Sequence, residues 1–364
     1  MTRERIGIYL PDLSGGGAER SIISVAAGLA GRGYLVDLIV ANAAGPFLGQ
    51  LPPCVRFVDL KAGMPRKSVM RLAQYLRENR PAALLSALDN ANVVAITARR
   101  LAGTPTRVVV SIRNQTSIDY QSTQFRRKLH LAAVRIAYRF ADRIVAVSGG
   151  VADDLASLIG LPRKKIDVVY NAVVTEDLPA KAAEPVDHPW FAPGQPPVIL
   201  TAGRFGLQKD HAMLMRAFVK VRNSMPARLL ILGDGDLRLE LNAYVKELGI
   251  EDDCQLPGYA TNPFAYMSKS AVFALSSIFE GLPGVLIQAM ACGCPVVSTD
   301  CPSGPDEVLQ GGKYGRLVPV GDEDAMAGAL IDVLRGERVP PPPESLDPFR
   351  PETVLDQIVE TLLG

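Results

Sequence analysis

The stretch Ser276-Ser277-Ile278-Phe279-Glu280-Gly281-Leu282-Pro283-Gly284-Val285-Leu286-Ile287-Gln288-Ala289-Met290-Ala291-Cys292-Gly293-Cys294-Pro295-Val296-Val297 reads as a strand end, an acidic turn, a helix, a glycine stop and a buried strand. The apolar run 271–275 before it has strand length, Glu280-Gly281-Leu282-Pro283 carries the breakers, and Pro283 suits the first turn of a helix. The helix runs to about Cys292, Gly293 caps it, and Pro295-Val296-Val297 opens the next strand, so the unit is strand, loop, helix, strand of a parallel sheet. Ligands of such sheets lie at the carboxyl ends of the strands, where Glu280 and the amino end of this helix fall. The first amide hydrogens of a helix are unpaired and its dipole is positive there, so Glu280 is an acidic acceptor beside a phosphate-friendly helix end. Gln288 follows two turns further on. One carboxylate and one amide near an anion site suit a ligand with both phosphates and hydroxyls; the alternative is a helix whose Glu280 and Gln288 are merely solvated.

A chain of 364 residues exceeds the size at which single cores stop growing, which predicts two domains. With 48% hydrophobic and 21% charged residues it has the balance of a folded soluble protein. No apolar run approaches the roughly 18 residues of a membrane span, and the strand-like segment 5–10 is too short for a signal peptide, so a cytoplasmic protein is expected. Cys54, Cys254, Cys292, Cys294 and Cys301 form neither an even framework nor paired metal-ligand clusters, which leaves packing as their role. The net charge of +1 hides a split: residues 1–178 hold 24 Lys and Arg against 14 Asp and Glu, and residues 179–364 hold 15 against 24. A basic half suits phosphates, anionic lipid or nucleic acid, or else reflects solvated helix faces and inter-domain pairing.

Segment 5–10 is the first strand, and Ser14-Gly15-Gly16-Gly17-Ala18-Glu19-Arg20 turns from it into a helix reaching about Ala30. Its glycines let backbone approach a ligand closely, or simply make a tight turn. A dinucleotide fingerprint needs a third glycine where Arg20 stands and an acid after the second strand, where Ala41-Asn42-Ala43 stands. Strands at 55–60, 82–87 and 107–112 alternate with helices at 67–79 and 91–101, the pattern of a doubly wound sheet. Ser111-Ile112-Arg113-Asn114-Gln115 closes the last of these strands with polar side chains, a place for acceptor or catalytic contacts.

Gln124 to Arg143 reads as one long basic helix: Arg126, Arg127, Lys128, Arg135, Arg139 and Arg143 face a single acid, Asp142. Its apolar residues Phe125, Leu129, Ala132, Ala133, Ile136 and Phe140 recur at three- and four-residue steps, so the stripe either packs on the sheet or meets a membrane surface. Residues 143–147, a helix from Gly149 and residues 166–170 complete this half, and the aperiodic Pro- and acid-rich segment 175–197 marks a linker.

The second half opens with a buried strand, 198–202, that delivers Arg204 to its carboxyl end, with Lys209 at the start of the next helix. Two cations on one strand-to-helix loop can grip a diphosphate, the arginine as a fork and the lysine as a point charge. His211 reads as a helix-start packing residue. In Gly233-Asp234-Gly235-Asp236 a glycine turn with Asp236 capping the next helix is favoured over a metal-binding carboxylate pair. Gly258-Tyr259 follows a short strand, residues 315–318 and 322–335 form a last strand and helix, Pro340 to Pro343 is a spacer, and 352–363 is a final helix.

Taken in order, Gly15-Gly16-Gly17-Ala18-Glu19-Arg20, Ala202-Gly203-Arg204 through Lys209-Asp210, Gly233-Asp234-Gly235 and Glu280-Gly281-Leu282-Pro283 resemble the family 4 retaining glycosyltransferases of the GT-B fold, over nearly the whole chain. The resemblance implies two Rossmann-like doubly wound parallel-sheet domains facing a central cleft. These would be an acceptor domain at 1–178, a linker at 179–197 and a donor domain at 198–345, with the helix in 346–364 packing back on the first. It implies that Gly16 and Gly17 approach the diphosphate of a sugar nucleotide, UDP-linked by family habit, which Arg204 and Lys209 clamp. The backbone of Gly281, Leu282, Pro283, Gly284, Val285 and Leu286 would meet sugar and phosphate, and Glu280 would hold the sugar hydroxyls. Gly233, Gly258 and Tyr259 would line the nucleotide pocket. The family's second acid, on the ribose, is here Gln288, and its histidine after the strand ending at Ile112 is replaced by Arg113-Asn114, leaving Arg113 a candidate. Arg204, Lys209 and the helix end can stabilise the leaving charge without a metal, so no cofactor is expected. The expected acceptor is a lipid-linked or polysaccharide precursor, the basic helix suggests peripheral attachment to anionic membrane, and no nucleic acid is expected. A nicotinamide-dependent enzyme would share the alternation but not the failed fingerprint. A non-catalytic nucleotide-sugar-binding regulator would need the same clamp.

Overall fold

The apolar runs that alternate with helical segments become the strands of two all-parallel sheets. The computed structural model describes residues 4–14, 16–119, 125–337 and 341–364, with the side chains of 119 and 125–127 outside that description. Gly15, Gln124 and Pro340, and the side chains of Phe125, Arg126 and Arg127, therefore lie outside the described residues. The chain divides into one unit of Met1–Ala172 with Pro348–Gly364 and another of Val173–Asp347, each considered by itself below.

In the first unit the strands are β1 (Arg5–Leu10), β2 (Leu35–Val40), β3 (Arg56–Asp59), β4 (Ala83–Ala87), β5 (Arg107–Ile112), β6 (Arg143–Ala146) and β7 (Ile166–Val168), in the order β3-β2-β1-β4-β5-β6-β7. The second has β8 (Val198–Ala202), β9 (Arg228–Leu232), β10 (Cys254–Gly258), β11 (Val272–Leu275), β12 (Val296–Thr299) and β13 (Arg316–Val318), in the order β10-β9-β8-β11-β12-β13. Every residue of β4, β8, β11 and β12 is buried, because helices cover both faces of a parallel sheet; this is why β11 reads as an unbroken apolar run, while Ser86, Thr201, Ser298 and Thr299 are buried polar exceptions in the other three. Both sheets reverse their winding beside their first strand, at β1/β4 and at β8/β11. Loops leaving the two strands at such a point diverge to opposite faces and open a crevice at the carboxyl ends.

The key stretch folds as its breakers predict. β11 ends at Leu275, the helix runs Gly284–Ala291, Gly293 turns at φ +74°, and β12 pairs parallel with β11 through Ala274 and Val297. The helix Pro351–Leu363 packs within the first unit, burying Val354 and Leu362 and pairing Asp356 with Arg32 at 2.7 Å. The segment 179–197, linker-like in composition, is part of the second unit. There the helix Leu178–Ala183 packs on Pro263–Lys269, Asn262 Nδ2 donates to the Lys181 carbonyl at 2.8 Å, and Trp190 is buried. Its prolines and acids interrupt periodicity without preventing docking.

The basic helix departs from its sequence reading. It spans Phe125–Ala137, a 3-10 turn covers Tyr138–Phe140, and Arg143 opens β6 instead of ending the helix. The face that packs is set by Val134, fully buried, and by Tyr138, whose hydroxyl donates to Asp89 at 3.2 Å and takes the Asn92 amide at 3.1 Å. That choice turns the expected apolar stripe outward: Leu129 is 63% exposed, Ile136 62% and Phe140 47%, with Ala132 and Ala133 exposed between them. Among the described residues no helix is long and apolar enough to cross a membrane.

Candidate active site

At the β8/β11 reversal two loops are stitched together by their own polar groups. After β8 the chain passes Gly203 and Arg204 into a 3-10 turn, Leu207–Lys209, and Asp210, at φ +41°, caps the helix His211–Ser224 by accepting from the Met213 amide at 3.2 Å. After β11 the Ser276 hydroxyl donates to the Lys209 carbonyl at 2.7 Å, and the Ile278 amide to the Gln208 carbonyl at 2.8 Å. Gln208 Nε2 returns a bond to the Phe279 carbonyl at 2.9 Å. Within this frame Lys209 Nζ lies 2.6 Å from Glu280 Oε1, and the Ser277 hydroxyl donates to the same oxygen, also at 2.6 Å. The Glu280 amide donates to the Pro302 carbonyl at 3.2 Å, so the loop after β12 also fixes it. The pair is largely buried, with side-chain exposures of 16% for Lys209 and 8% for Glu280. A charged pair so placed persists only where extra hydrogen bonds satisfy it, as Ser277 does here.

Glycine is required where these loops cross the rest of the sheet edge. A Cβ on Gly233, at φ +137°, would sit 1.9 Å from the Gly203 carbonyl oxygen, and one on Gly304 would sit 2.4 Å from Pro283 Cδ. Gly281, Leu282, Pro283 and Leu286 are buried behind Glu280, Gly284 and Val285 are half-buried, and Gln288 lies half-buried one turn into the helix. Gly258 abuts the Arg238 guanidinium, which also donates to the Leu256 carbonyl at 3.2 Å and pairs with Asp234 at 3.4 Å, whereas Tyr259 is 71% exposed.

Arg204 does not join Lys209. It extends into solvent and pairs with Asp236 at 2.8 Å, both side chains being at least three-quarters exposed. Asp236 is thus no helix cap, because the helix Arg238–Glu247 starts two residues later with Leu237 at its cap position. The reason is geometric: Asp236 lies within reach of a guanidinium that offers charge as well as donors. His211 is buried edge-on to Phe205, ring centroids 5.4 Å apart, and burial, with Lys209 nearby, pushes its pKa down to about 4. It packs as a neutral ring. Burial likewise raises the Cys254, Cys292 and Cys301 thiols to about 12, with the Glu280 carboxylate adding to the last, so these cysteines are protonated packing residues.

In the first unit Gly16 caps the helix Gly17–Gly31 in extended conformation; a Cβ on Gly17 would meet nothing within 4 Å, whereas one on Gly16 would sit 2.8 Å from the Glu19 carboxylate. Arg113, just past β5, donates to the Ala18 carbonyl at 3.5 Å, and its Nε and the Asn114 Oδ1 are enclosed without a partner. Burial lowers the Arg113 pKa to about 10, an effect the Glu19 carboxylate opposes. A water-sized cavity of about 20 Å³ lies beside it, lined in part by Ser21, Ser111, Tyr170 and Thr361. The structure thus brings Lys209 and Glu280 into direct contact, keeps Arg204 apart from them, and sets Gly16, Gly17, Arg113 and Asn114 in the first unit. Sequence reasoning passed over Gln208, Ser277 and Arg238, and gave Asp236 a capping role in place of its pairing with Arg204. Only Ser277, polar at the end of an apolar run, carries a local signal.

The sequence from 196 to 336 matches the family model described as glycosyl transferases group 1, and that from 15 to 177 matches the model of glycosyltransferase family 4. The chain is similar to a Campylobacter jejuni N-acetylgalactosamine-N,N'-diacetylbacillosaminyl-diphospho-undecaprenol 4-alpha-N-acetylgalactosaminyltransferase, 31% identical over 92% of each chain. It is also similar to a Salmonella typhimurium lipopolysaccharide 1,6-galactosyltransferase, 26% identical over 77% of this chain and 74% of that one. Among solved structures, the lipopolysaccharide outer core galactosyltransferase WaaB superposes with a TM-score of 0.76 at 22% identity over 98% of both chains. Anabaena HepE in complex with UDP and glucose gives 0.80 at 21% identity over 99% of both. At these identities the two structures establish a common fold.

Proposed function

The chain belongs to family 4 of the glycosyltransferases, the glycosyl transferases group 1, and we propose that this glycosyltransferase moves a hexose or N-acetylhexosamine from a UDP-sugar, with retention, onto a lipid-linked or polysaccharide-precursor acceptor. The observation that carries the reading is the buried Lys209–Glu280–Ser277 node at the carboxyl ends of β8 and β11. An ammonium and a carboxylate held side by side suit the two ends of a sugar diphosphate. In this reading the remaining donors of Lys209 meet the diphosphate, Arg204 leaves Asp236 to join them, and Glu280 accepts from sugar hydroxyls. The acceptor hydroxyl oxygen bonds to the anomeric carbon as the carbon–oxygen bond to the diphosphate breaks, and its proton passes to the leaving phosphate oxygen. Attack comes on the face the diphosphate leaves. The cations stabilise the departing charge, so the reaction is metal-independent and chelation with EDTA leaves the rate unchanged. Gln288 takes the ribose as a neutral amide, and Arg113 with Asn114 serves the acceptor.

The acceptor and membrane parts of the proposal have their own support. The C. jejuni relative is named for transfer onto a diphospho-undecaprenol-linked sugar. In this chain Leu129, Ile136 and Phe140 stand exposed beside Lys128, Arg135 and Arg139, an apolar and cationic combination suited to an anionic lipid surface. The enzyme would then work as a peripheral protein on the cytoplasmic face of the membrane. The test is transfer of labelled sugar from UDP-glucose, UDP-galactose, UDP-GlcNAc and UDP-GalNAc to undecaprenyl-diphosphate-linked sugars. One donor should be consumed with release of UDP; no turnover with any would overturn the donor and acceptor assignment.

A further inference from the structure

We propose that Ser277 is the positioning residue of the donor site: with Lys209 it occupies one oxygen of Glu280, so that Oε2 alone is presented to the sugar. The inference rests on the reading of Glu280 as the sugar-binding carboxylate. Oε1 receives two short bonds, from Lys209 Nζ and from the Ser277 hydroxyl, each at 2.6 Å. A carboxylate only accepts, so the serine must be the donor. Among the described residues Oε2 receives one longer bond, from Gln208 Nε2 at 3.4 Å, whose other hydrogen goes to the Phe279 carbonyl at 2.9 Å. Oε1 is therefore held by two short bonds, and Oε2, weakly held, keeps lone-pair capacity for an external donor.

Lysine alone would not enforce this division. An ammonium on a flexible stem acts as a point charge and satisfies either oxygen equally well. A hydroxyl on a fixed backbone selects one of them. Ser277 is fixed: it has no exposure, and its carbonyl accepts from Thr299 Oγ1 at 2.6 Å, tying it to the end of the neighbouring strand β12. Without the hydroxyl, Glu280 is free to turn Oε2 toward Lys209, and neither oxygen is then held in line for the sugar.

A double-mutant cycle tests this with Ser277→Ala, Glu280→Gln and the double variant. The probes are UDP and whichever of UDP-glucose, UDP-galactose, UDP-GlcNAc and UDP-GalNAc the native chain turns over. Loss of a bond to a charged group should lower kcat for transfer about tenfold in Ser277→Ala, while UDP binding measured by calorimetry stays within about twofold of native. In the Glu280→Gln background, Ser277→Ala should cost almost nothing further, since no carboxylate remains to be oriented. Glu280→Gln transferring at the native rate would sink the sugar-binding reading itself. Loss of transfer in Glu280→Gln but native kcat in Ser277→Ala would sink the positioning role alone. Parallel loss of transfer and UDP binding in Ser277→Ala would mean that the hydroxyl merely holds the loop together, which also overturns the proposal.

Discussion

Lys209 and Glu280, 71 positions apart in sequence, meet at 2.6 Å because the loops after β8 and β11 leave adjacent parallel strands at the point where the sheet reverses its winding. Neither residue can be changed alone without stranding the other. Breaking a buried pair from one side leaves an uncompensated charge, at a cost of about 3 to 5 kcal/mol where burial is complete and less here, where Lys209 keeps some solvent. Lys209→Met should thus lower the thermal midpoint clearly, and Lys209→Met with Glu280→Gln should recover most of the loss while transferring no sugar. Differential scanning calorimetry beside an activity assay separates the two effects; a double variant as unstable as the single would mean that the pair is not the source of the loss.

Arg204 and Asp236 form the contrasting case. Their exposed pair should contribute no more than about 1 kcal/mol, so Asp236→Asn should leave the midpoint within a degree or so of native. If Arg204 must leave Asp236 to grip a diphosphate, the same change should tighten UDP binding severalfold at low salt, with a smaller gain at high salt. Calorimetry at two ionic strengths decides; UDP affinity unaltered by Asp236→Asn and by Arg204→Ala would remove Arg204 from the donor site.

Much of this site was legible in order and little of it in contact. Gly293, Pro283 and the apolar runs declared the parallel-sheet unit, and alternation declared the winding, because capping and burial act locally. What a local pattern cannot carry is which of two cations a loop buries. Arg204 and Lys209 look alike in sequence, yet the 3-10 turn rotates Lys209 inward and leaves Arg204 in water. The helical period around Leu129 and Ile136 identified a helix but not its packed face, which Val134 and Tyr138 decide through contacts with distant Asp89 and Asn92. Ser277 and Gln208 were passed over because their partners lie across the loop junction.

Arg113 should trade stability for function. Its pKa is lowered to about 10 mainly by burial, so between that value and the ordinary arginine range the unfolded chain binds more protons than the folded one. Stability therefore rises with pH through that alkaline window, and at neutral pH the buried charge is a net cost. Arg113→Met should raise the thermal midpoint while slowing transfer to acceptor. A lowered midpoint would show instead that the guanidinium supports the fold.

The outward stripe of the basic helix predicts reversible attachment to anionic vesicles, each cation near the surface contributing about 1 kcal/mol and salt weakening the whole. Leu129→Gln with Ile136→Gln alters exposed side chains only, so folding should be untouched while sedimentation with phosphatidylglycerol vesicles falls severalfold. Equal pelleting with neutral and anionic vesicles, or none with either, would contradict membrane attachment through this face.

The central claim, that the Lys209–Glu280 node is where the donor diphosphate binds, is tested most directly by titrating UDP into the native chain and into Lys209→Ala in a calorimeter. Removing a charge-assisted contact worth about 1.5 to 3 kcal/mol should weaken UDP roughly ten- to hundredfold. UDP binding to Lys209→Ala with native affinity would place the diphosphate elsewhere and contradict the account.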